Sequence, residues 1–222
     1  MAPELQVRAF SAADAPAVAA IYNQGIAERI ATFETEPRSP STMAEQFGKR
    51  ADTHPAIVVE QAGEVVAVAW TSEYRPRRAY AGIAETSVYV AKDARGQGLG
   101  RLALASVIDA AERKGFWKLV SRIFPENAAS RRLCATLGFR EVGVYHRHGK
   151  LDGVWRDASS SNGCWARRSI HDRTQPAPLS LASWASAPAT RPRKRSTSAA
   201  SHCLPAPWRR VRTASSLVRR GR

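Results

Sequence analysis

The segment Val90–Gly100, VAKDARGQGLG, contains glycines at positions 96, 98 and 100. It follows an alternating segment, AETSVYV, that predicts a strand, and it precedes an amphipathic segment that predicts a helix from Leu99 to about Lys114. Glycine lets the backbone approach a ligand closely, and the unpaired N–H groups at a helix start bind anions. The stretch therefore predicts a phosphate-binding turn, to which Arg95 adds a cation.

Three kinds of nucleotide site are compatible with such a turn. A P-loop requires Lys and then Ser or Thr after the last glycine, where this chain has Arg101 and Leu102. A Rossmann site requires G-x-G-x-x-G and an acid at the end of the next strand. Here the spacing is G-x-G-x-G, and the next strand ends in Arg122 and Ile123. The third alternative is the pyrophosphate of coenzyme A.

The surrounding sequence predicts one α/β domain over residues 1–157. A strand at Leu5–Phe10 precedes a helix with Ser11 as its N-cap, and a second helix begins near Ser41 or Thr42. Ala56–Trp70 predicts a hairpin, and further strands and helices alternate after the glycine turn. The predicted order is β-α-α-β-β-β-α-β-α-β, with one more strand opening after GKLDGVW.

Charge and composition separate this domain from the rest of the chain. The net charge is +15, of which residues 158–222 carry +12 (13 basic residues and one acid) and residues 1–157 carry +3 (21 basic and 18 acidic). The low-complexity basic tail, 158–222, is expected to be disordered, and such tails are typical of nucleic-acid or membrane-surface binding. No apolar run approaches the ~18 residues of a membrane span. Three dispersed cysteines predict a reducing, cytoplasmic setting and no metal site.

Two motifs resemble the GNAT family of N-acetyltransferases. RGQGLG at 95–100 is similar to the family's (Gln or Arg)-x-x-Gly-x-(Gly or Ala) signature, and NAASRRLCATLGF at 127–139 is similar to its second motif. ATFETEP, RRAYAGIAETSVYV and GKLDGVWRD resemble the phosphinothricin-type subgroup, which acetylates the α-amino group of acids such as phosphinothricin, methionine sulfoximine or arsinothricin. The resemblance implies the GNAT fold, a mixed, mostly antiparallel sheet flanked by helices. It also implies acetyl-CoA as the donor, a small amine as the acceptor and a homodimer.

The resemblance assigns the cofactor site residue by residue. It implies that the main chain of Val88, Tyr89 and Val90 binds the pantetheine arm, although these residues also suit a core strand. Asn127 and Ser130 would contact the far end of the cofactor, with helix capping as the alternative role of Asn127. The pyrophosphate would be held by Arg95, Gly96, Gln97, Gly98, Leu99, Gly100 and Arg101.

The resemblance also assigns catalytic roles. An ammonium group must lose a proton before it attacks a thioester, and Glu85 occupies the position of the family's general base. A main-chain amide at or near Val88 would polarise the thioester carbonyl. Cys134 stands where the family often has tyrosine as the acid and the subgroup often has histidine. Its thiol either donates a proton or packs in the core.

Substrate-binding positions follow from the same resemblance. Arg77 and Tyr80 fall on the family's substrate arginine and tyrosine, and an arginine fork suits a carboxylate, phosphinate or arsinate. Thr32 and Trp70 fall where the subgroup usually has asparagine and tyrosine, and Glu85 and Thr86 complete the expected site. A protein N-terminus or a polyamine is the alternative acceptor, although Arg77 and Arg78 disfavour a polyamine. Nucleic-acid binding through the basic tail is the alternative function, and we do not expect it.

The chain after Asp157 departs from the family, whose members continue with a strand close to VVIVERLLG. One coding of that strand is GTC GTC ATC GTC GAA CGG CTG CTG GGC, and loss of its second base gives Ala-Ser-Ser-Ser-Asn-Gly-Cys-Trp, the sequence of 158–165. We therefore hypothesise a single-base frameshift in the gene or its sequencing. It predicts that the last strand of the domain is missing and that activity is reduced. Resequencing that shows an intact frame through codon 158 would contradict it.

Overall fold

The structure, a computed structural model, describes residues 4–164. Within this range no helix is both long and apolar enough to cross a membrane. The elements described there follow the predicted order: β1 Leu5–Ala9, α1 Ala15–Ala27, α2 Pro40–Gly48, β2 Ala56–Gln61, β3 Glu64–Glu73, β4 Ile83–Val90, α3 Leu99–Arg113, β5 Lys118–Ile123, α4 Ala128–Thr136, β6 Arg140–Leu151 and β7 Val154–Cys164.

The strands form one mixed sheet in the order β1-β2-β3-β4-β5-β7-β6. Neighbouring strands are antiparallel except β4 and β5, which are parallel. Because side chains alternate between the faces of a strand, β2 and β3 supply both cores. Val58 and Val68 pack with α1 and α2, whereas Val59 and Ala69 pack with α3. The predicted α/β architecture is confirmed.

Local signals place the first two helices. Asp14 accepts a hydrogen bond from the Ser11 backbone N–H at 2.7 Å and caps the short turn before α1. The hydrogen bond from Arg8 is the main cause that lowers the pKa of Asp14, which stays a carboxylate. Ser39 is the N-cap of α2, because its hydroxyl accepts from the Thr42 N–H at 3.1 Å. This helix therefore begins slightly earlier than predicted.

The functional part of the sheet is the place where β4 and β5 separate. They pair only from Ile83 with Lys118 to Glu85 with Val120, although both strands continue further. The Ala91 N–H donates to the Val66 carbonyl at 2.8 Å, so odd-numbered residues of β4 direct their main chain toward β3. Hydrogen-bonding direction alternates along a strand. The main-chain groups of residues 86, 88 and 90 therefore face the gap.

The last strand differs from expectation, because β7 is present between β5 and β6. Ser159 pairs with Ile123 of β5 and with Val144 of β6. This corrects the domain end predicted at Asp157 and the prediction of a missing strand. Backbone groups of any residue type can complete a ladder, and 158–161 are small enough for these buried positions. The frameshift stays a hypothesis, and the predicted disorder of 165–222 lies outside the described residues.

Candidate active site

A cavity of about 380 Å³ lies in the gap between β4 and β5, beside the starts of α3 and α4. Of the residues predicted to bind the cofactor, Gln97 lies outside the cavity lining and instead accepts a hydrogen bond from Gln61 at 3.2 Å. The structure brings the others to this cavity: Val88, Tyr89, Val90, Arg95, Gly96, Gly98, Leu99, Gly100, Arg101, Asn127 and Ser130.

The glycine turn is shaped by backbone conformation at Gly96 and Gly98, whose φ angles are 78° and 81°. These are left-handed values that disfavour side chains. A Cβ at Gly98 would meet no atom within 4 Å, so the cavity stays open at this point. Gly98 is the N-cap of α3, and glycine provides no side chain to occupy the first N–H groups of the helix. The turn therefore presents backbone donors to an anion.

Arg95 and Asn127 connect the walls of this cavity. Arg95 donates from Nε to the Val90 carbonyl at 3.2 Å and pairs with Glu28 at 2.8 Å. Asn127 accepts from the Ser130 N–H at 3.1 Å and donates to the Ile30 carbonyl at 3.1 Å. Asn127 thus caps α4, the alternative role considered for it, and also lines the cavity.

A second cavity of about 420 Å³ lies on the α1 and α2 side of the sheet. Thr32, Trp70, Glu85 and Thr86, all predicted for the acceptor site, line it. The two cavities share Ala31, Thr86, Ser87, Tyr89 and Arg122 in their linings. Groups bound on either side can therefore meet at β4, where it parts from β5.

Glu85 is the last residue of β4 that pairs with β5, and its carboxylate faces the second cavity. Arg122 Nη2 donates to both carboxylate oxygens, at 2.6 and 2.7 Å. This charge-assisted contact fixes the direction of the carboxylate at the junction of the cavities. Arg122 was not predicted as a site residue. The signal that could have identified it is the presence of an arginine within β5, whose other residues are mostly buried.

Aromatic rings form one wall of the second cavity. Tyr89 stacks on Trp70 with centroids 5.2 Å apart, and Tyr22 contacts the Tyr89 ring edge-on at 4.8 Å. Burial raises the pKa of both tyrosines, so they remain neutral phenols. The Thr86 hydroxyl donates to the Trp70 carbonyl at 3.2 Å. The predicted residues Trp70 and Thr86 thus shape this wall.

The predicted substrate residues Arg77 and Tyr80 are not brought to either cavity lining described here. They lie in the loop after β3, where Tyr80 contacts Tyr74 edge-on at 5.7 Å. A loop position cannot be placed by matching a motif alone, because its geometry depends on contacts within the loop. The arginines that do line the second cavity are Arg38, Arg50 and Arg122.

Cys134 is also placed away from both described cavity linings. Its side chain is 2% exposed and belongs to the core with Leu119 and Phe139. Burial raises the pKa of the thiol, and the Ser121 hydroxyl opposes that shift. The position favours the packing role over the acid role.

Comparison with known proteins identifies this arrangement. Residues 23–139 match the acetyltransferase (GNAT) family. This chain belongs to the GNAT family. The GNAT chain is 34% identical over 160 residues to the phosphinothricin N-acetyltransferase of Streptomyces coelicolor, covering 70% of this chain and 94% of that protein. It is 35% identical over 153 residues to the L-methionine sulfoximine/L-methionine sulfone acetyltransferase of Pseudomonas aeruginosa, covering 68% and 89%.

A solved structure shows the same fold with its donor bound. The crystal structure of a GNAT superfamily phosphinothricin acetyltransferase from Sinorhizobium meliloti in complex with AcCoA aligns with a TM-score of 0.68 and 29% identity. The alignment covers 74% of this chain and 89% of that one. The predicted family and GNAT fold are confirmed, and the chain is an acetyl-CoA-dependent N-acetyltransferase.

Proposed function

We propose that this enzyme transfers the acetyl group of acetyl-CoA to the α-amino group of a small acidic amino acid or a toxic analogue, of the phosphinothricin, methionine sulfoximine or arsinothricin type. The observation that carries the proposal is the pair of cavities that meet at β4. One contains the anion-binding turn, and the other contains Glu85 and three arginines. The activities named for the Streptomyces and Pseudomonas relatives support this acceptor class.

The residues around the first cavity fit acetyl-CoA. The backbone N–H groups at the start of α3 suit its pyrophosphate, and Gly98 leaves space for close approach. The main-chain groups of residues 86, 88 and 90 suit the amides of the pantetheine arm, as an added strand would. Acetyl-CoA supplies the acetyl group as an activated thioester.

Glu85 is proposed as the general base. The acceptor arrives as an ammonium ion, and its nitrogen lone pair becomes available when a carboxylate takes the proton. Glu85 lines the acceptor cavity, and Arg122 holds its carboxylate at the junction with the cofactor cavity. The main-chain N–H of Val88 faces the gap and is proposed to polarise the carbonyl that the amine attacks.

The acceptor assignment is tested by thiol release from acetyl-CoA with a panel of amines. We expect release with phosphinothricin and methionine sulfoximine and little with spermidine or a peptide with a free N-terminus. A preference for spermidine or the peptide would instead favour the alternative acceptors. The N-acetylated product is identified by its mass.

A homodimer is proposed from the apolar surface at the β6 end of the sheet. β6 is a terminal strand of the described sheet, and exposed apolar side chains lie on it and on the neighbouring β7. Exposed apolar patches of this kind mark association surfaces, and we propose a second copy of this chain as the partner. The residues are Val142, Val144, Tyr145, Val154 and Trp155.

The proposed role is detoxification, since N-acetylation removes the positive charge of an amino-acid toxin. We place the enzyme in the cytoplasm, where acetyl-CoA is available to it. The free thiols of Cys134 and Cys164 support a reducing setting.

A further inference from the structure

The acceptor cavity contains three arginines, and the described chain neutralises two of them. Arg122 pairs with Glu85, and Arg38 pairs with Glu34 through two contacts of 2.6 Å. Arg50 forms no ion pair with any carboxylate in residues 4–164. The cavity thus holds one uncompensated guanidinium.

The environment of the Arg50 guanidinium makes the absence of a counter-ion unusual. Its Nε and Nη2 atoms are buried and have no hydrogen-bond partner among the described residues. Its guanidinium carbon lies 4.6 Å from the centre of the Phe47 ring, which supports one face of the group. Burial, together with the charge of Arg38, lowers the pKa of Arg50 to about 10. The group is therefore still charged at neutral pH.

A buried charge without a counter-ion is unfavourable, and an anion bound in the cavity would relieve it. A guanidinium donates hydrogen bonds to carboxylate or phosphinate oxygens, and Nη1 is the Arg50 donor that is not fully buried and that a ligand in the cavity can contact. Phe47 fixes Arg50 from outside the described cavity lining, whereas Arg50 itself belongs to that lining. The geometry suits recognition of a ligand better than a purely structural contact.

We propose that Arg50 binds an acidic group of the acceptor. The sequence had predicted this role for Arg77. The inference rests on the proposed function and adds the residue that selects acidic substrates. Arg50 and Glu85 line the same cavity. One molecule can therefore present its ammonium group to Glu85 and an anionic group to Arg50.

The test compares Arg50→Gln with the full-length wild type on two acceptors. Phosphinothricin has an anionic side chain and an α-carboxylate, whereas methionine sulfone has only the α-carboxylate. We expect the KM for phosphinothricin to rise by about 30-fold, as for loss of hydrogen bonds to a charged group, with a small change in kcat. If KM rises only for phosphinothricin, Arg50 binds the acid of the side chain. If KM rises equally for both acceptors, Arg50 binds the α-carboxylate.

Two further variants separate recognition from folding. Arg50→Lys keeps the charge and is expected to restore part of the affinity. Arg113→Gln removes an exposed arginine in the last turn of α3 and is expected to leave both KM values unchanged. Equal KM values for wild type and Arg50→Gln on both acceptors would overturn the proposal.

A direct binding measurement tests the role of Arg50 separately from acetyl transfer. Phosphinothricin is titrated into wild type and Arg50→Gln by calorimetry, without acetyl-CoA. We expect wild type to bind and the variant to bind at least about tenfold more weakly. Wild type that binds but transfers no acetyl group would contradict the proposed function and leave Arg50 supported. Equal binding by the two proteins, or none by wild type, would contradict the role of Arg50.

Discussion

At the residue scale, Glu85 contacts Arg122 and lies at the junction of the two cavities. Arg122 orients the carboxylate through contacts of 2.6 and 2.7 Å. A carboxylate fixed in this way can take the acceptor proton only if the acceptor nitrogen lies in the same cavity. The proposed role of Glu85 is therefore in proton transfer, and kinetics can separate this role from substrate binding.

Glu85→Gln is expected to lower kcat by about 100-fold or more, because an amide cannot accept the ammonium proton. The KM for acetyl-CoA should stay unchanged, since Glu85 does not line the cofactor cavity. Steady-state rates of thiol release at saturating donor measure the effect. A variant with wild-type kcat would exclude Glu85 as the base.

Cys134→Ala is expected to leave kcat within about twofold and to lower the free energy of unfolding by about 1 kcal/mol, as for a typical core truncation. The physical reason is its burial in the core, away from both described cavity linings. Urea denaturation and initial rates measure the two effects. A large loss of kcat with unchanged stability would restore the acid role.

At the scale of elements, the turn before α3 is proposed to determine donor affinity. Gly98→Ala places a methyl group on a residue with φ of 81° at the cavity. Gly63→Ala is a matched control, because its φ is 83° and its Cβ direction is equally open, but it lies in the β2–β3 turn. Both changes should lower the free energy of unfolding by roughly 1–2 kcal/mol.

Only Gly98→Ala should weaken coenzyme A binding, by about tenfold, which corresponds to roughly 1.4 kcal/mol. Titration calorimetry with coenzyme A measures both variants. Equal affinities in the two proteins would show that the turn does not contact the cofactor.

Strand β7 is the second element with a testable property. The Ser159 side chain is fully buried, where the frameshift hypothesis places valine. Replacing 158–161 with Val-Val-Ile-Val should raise the free energy of unfolding by a few kcal/mol, because each added buried CH₂ contributes ~0.8 kcal/mol.

Urea denaturation of the two chains measures this difference. Thr35→Val, at an exposed loop position, is the control and should change the free energy of unfolding by less than about 0.5 kcal/mol. A loss of stability on restoring the apolar residues would contradict the frameshift and show that the serines fit their positions.

At the scale of the whole molecule, Tyr145→Lys should convert the proposed dimer into a monomer, because it replaces an exposed apolar side chain of β6 with a charge. Leu5→Lys is the control, since Leu5 is similarly exposed on β1 at the opposite end of the sheet. Light scattering after size-exclusion chromatography gives the mass. A monomeric wild type would exclude the dimer.

The order of elements and the cofactor turn were predictable because their signals are local. Alternation, caps and glycines act over a few residues, and the structure places most predicted cofactor residues around one cavity. The continuation of β7 past Asp157 was missed because Ser159 and its neighbours have no apolar pattern, and the backbone ladders to β5 and β6 define the strand there instead. Arg50 and Arg122 were missed because tertiary packing brings them together from the turn after α2 and from β5.

Acetyl transfer from acetyl-CoA to a small acidic amino acid, with Glu85 as the base, is the function proposed for the whole molecule. The most direct measurement is phosphinothricin-dependent release of coenzyme A thiol by three proteins: the chain as it stands, the chain with VVIVERLL restored after Asp157, and that restored chain with Glu85→Gln. We predict release by the first, faster release by the second and almost none by the third. No release by a folded restored chain that binds coenzyme A would contradict the account.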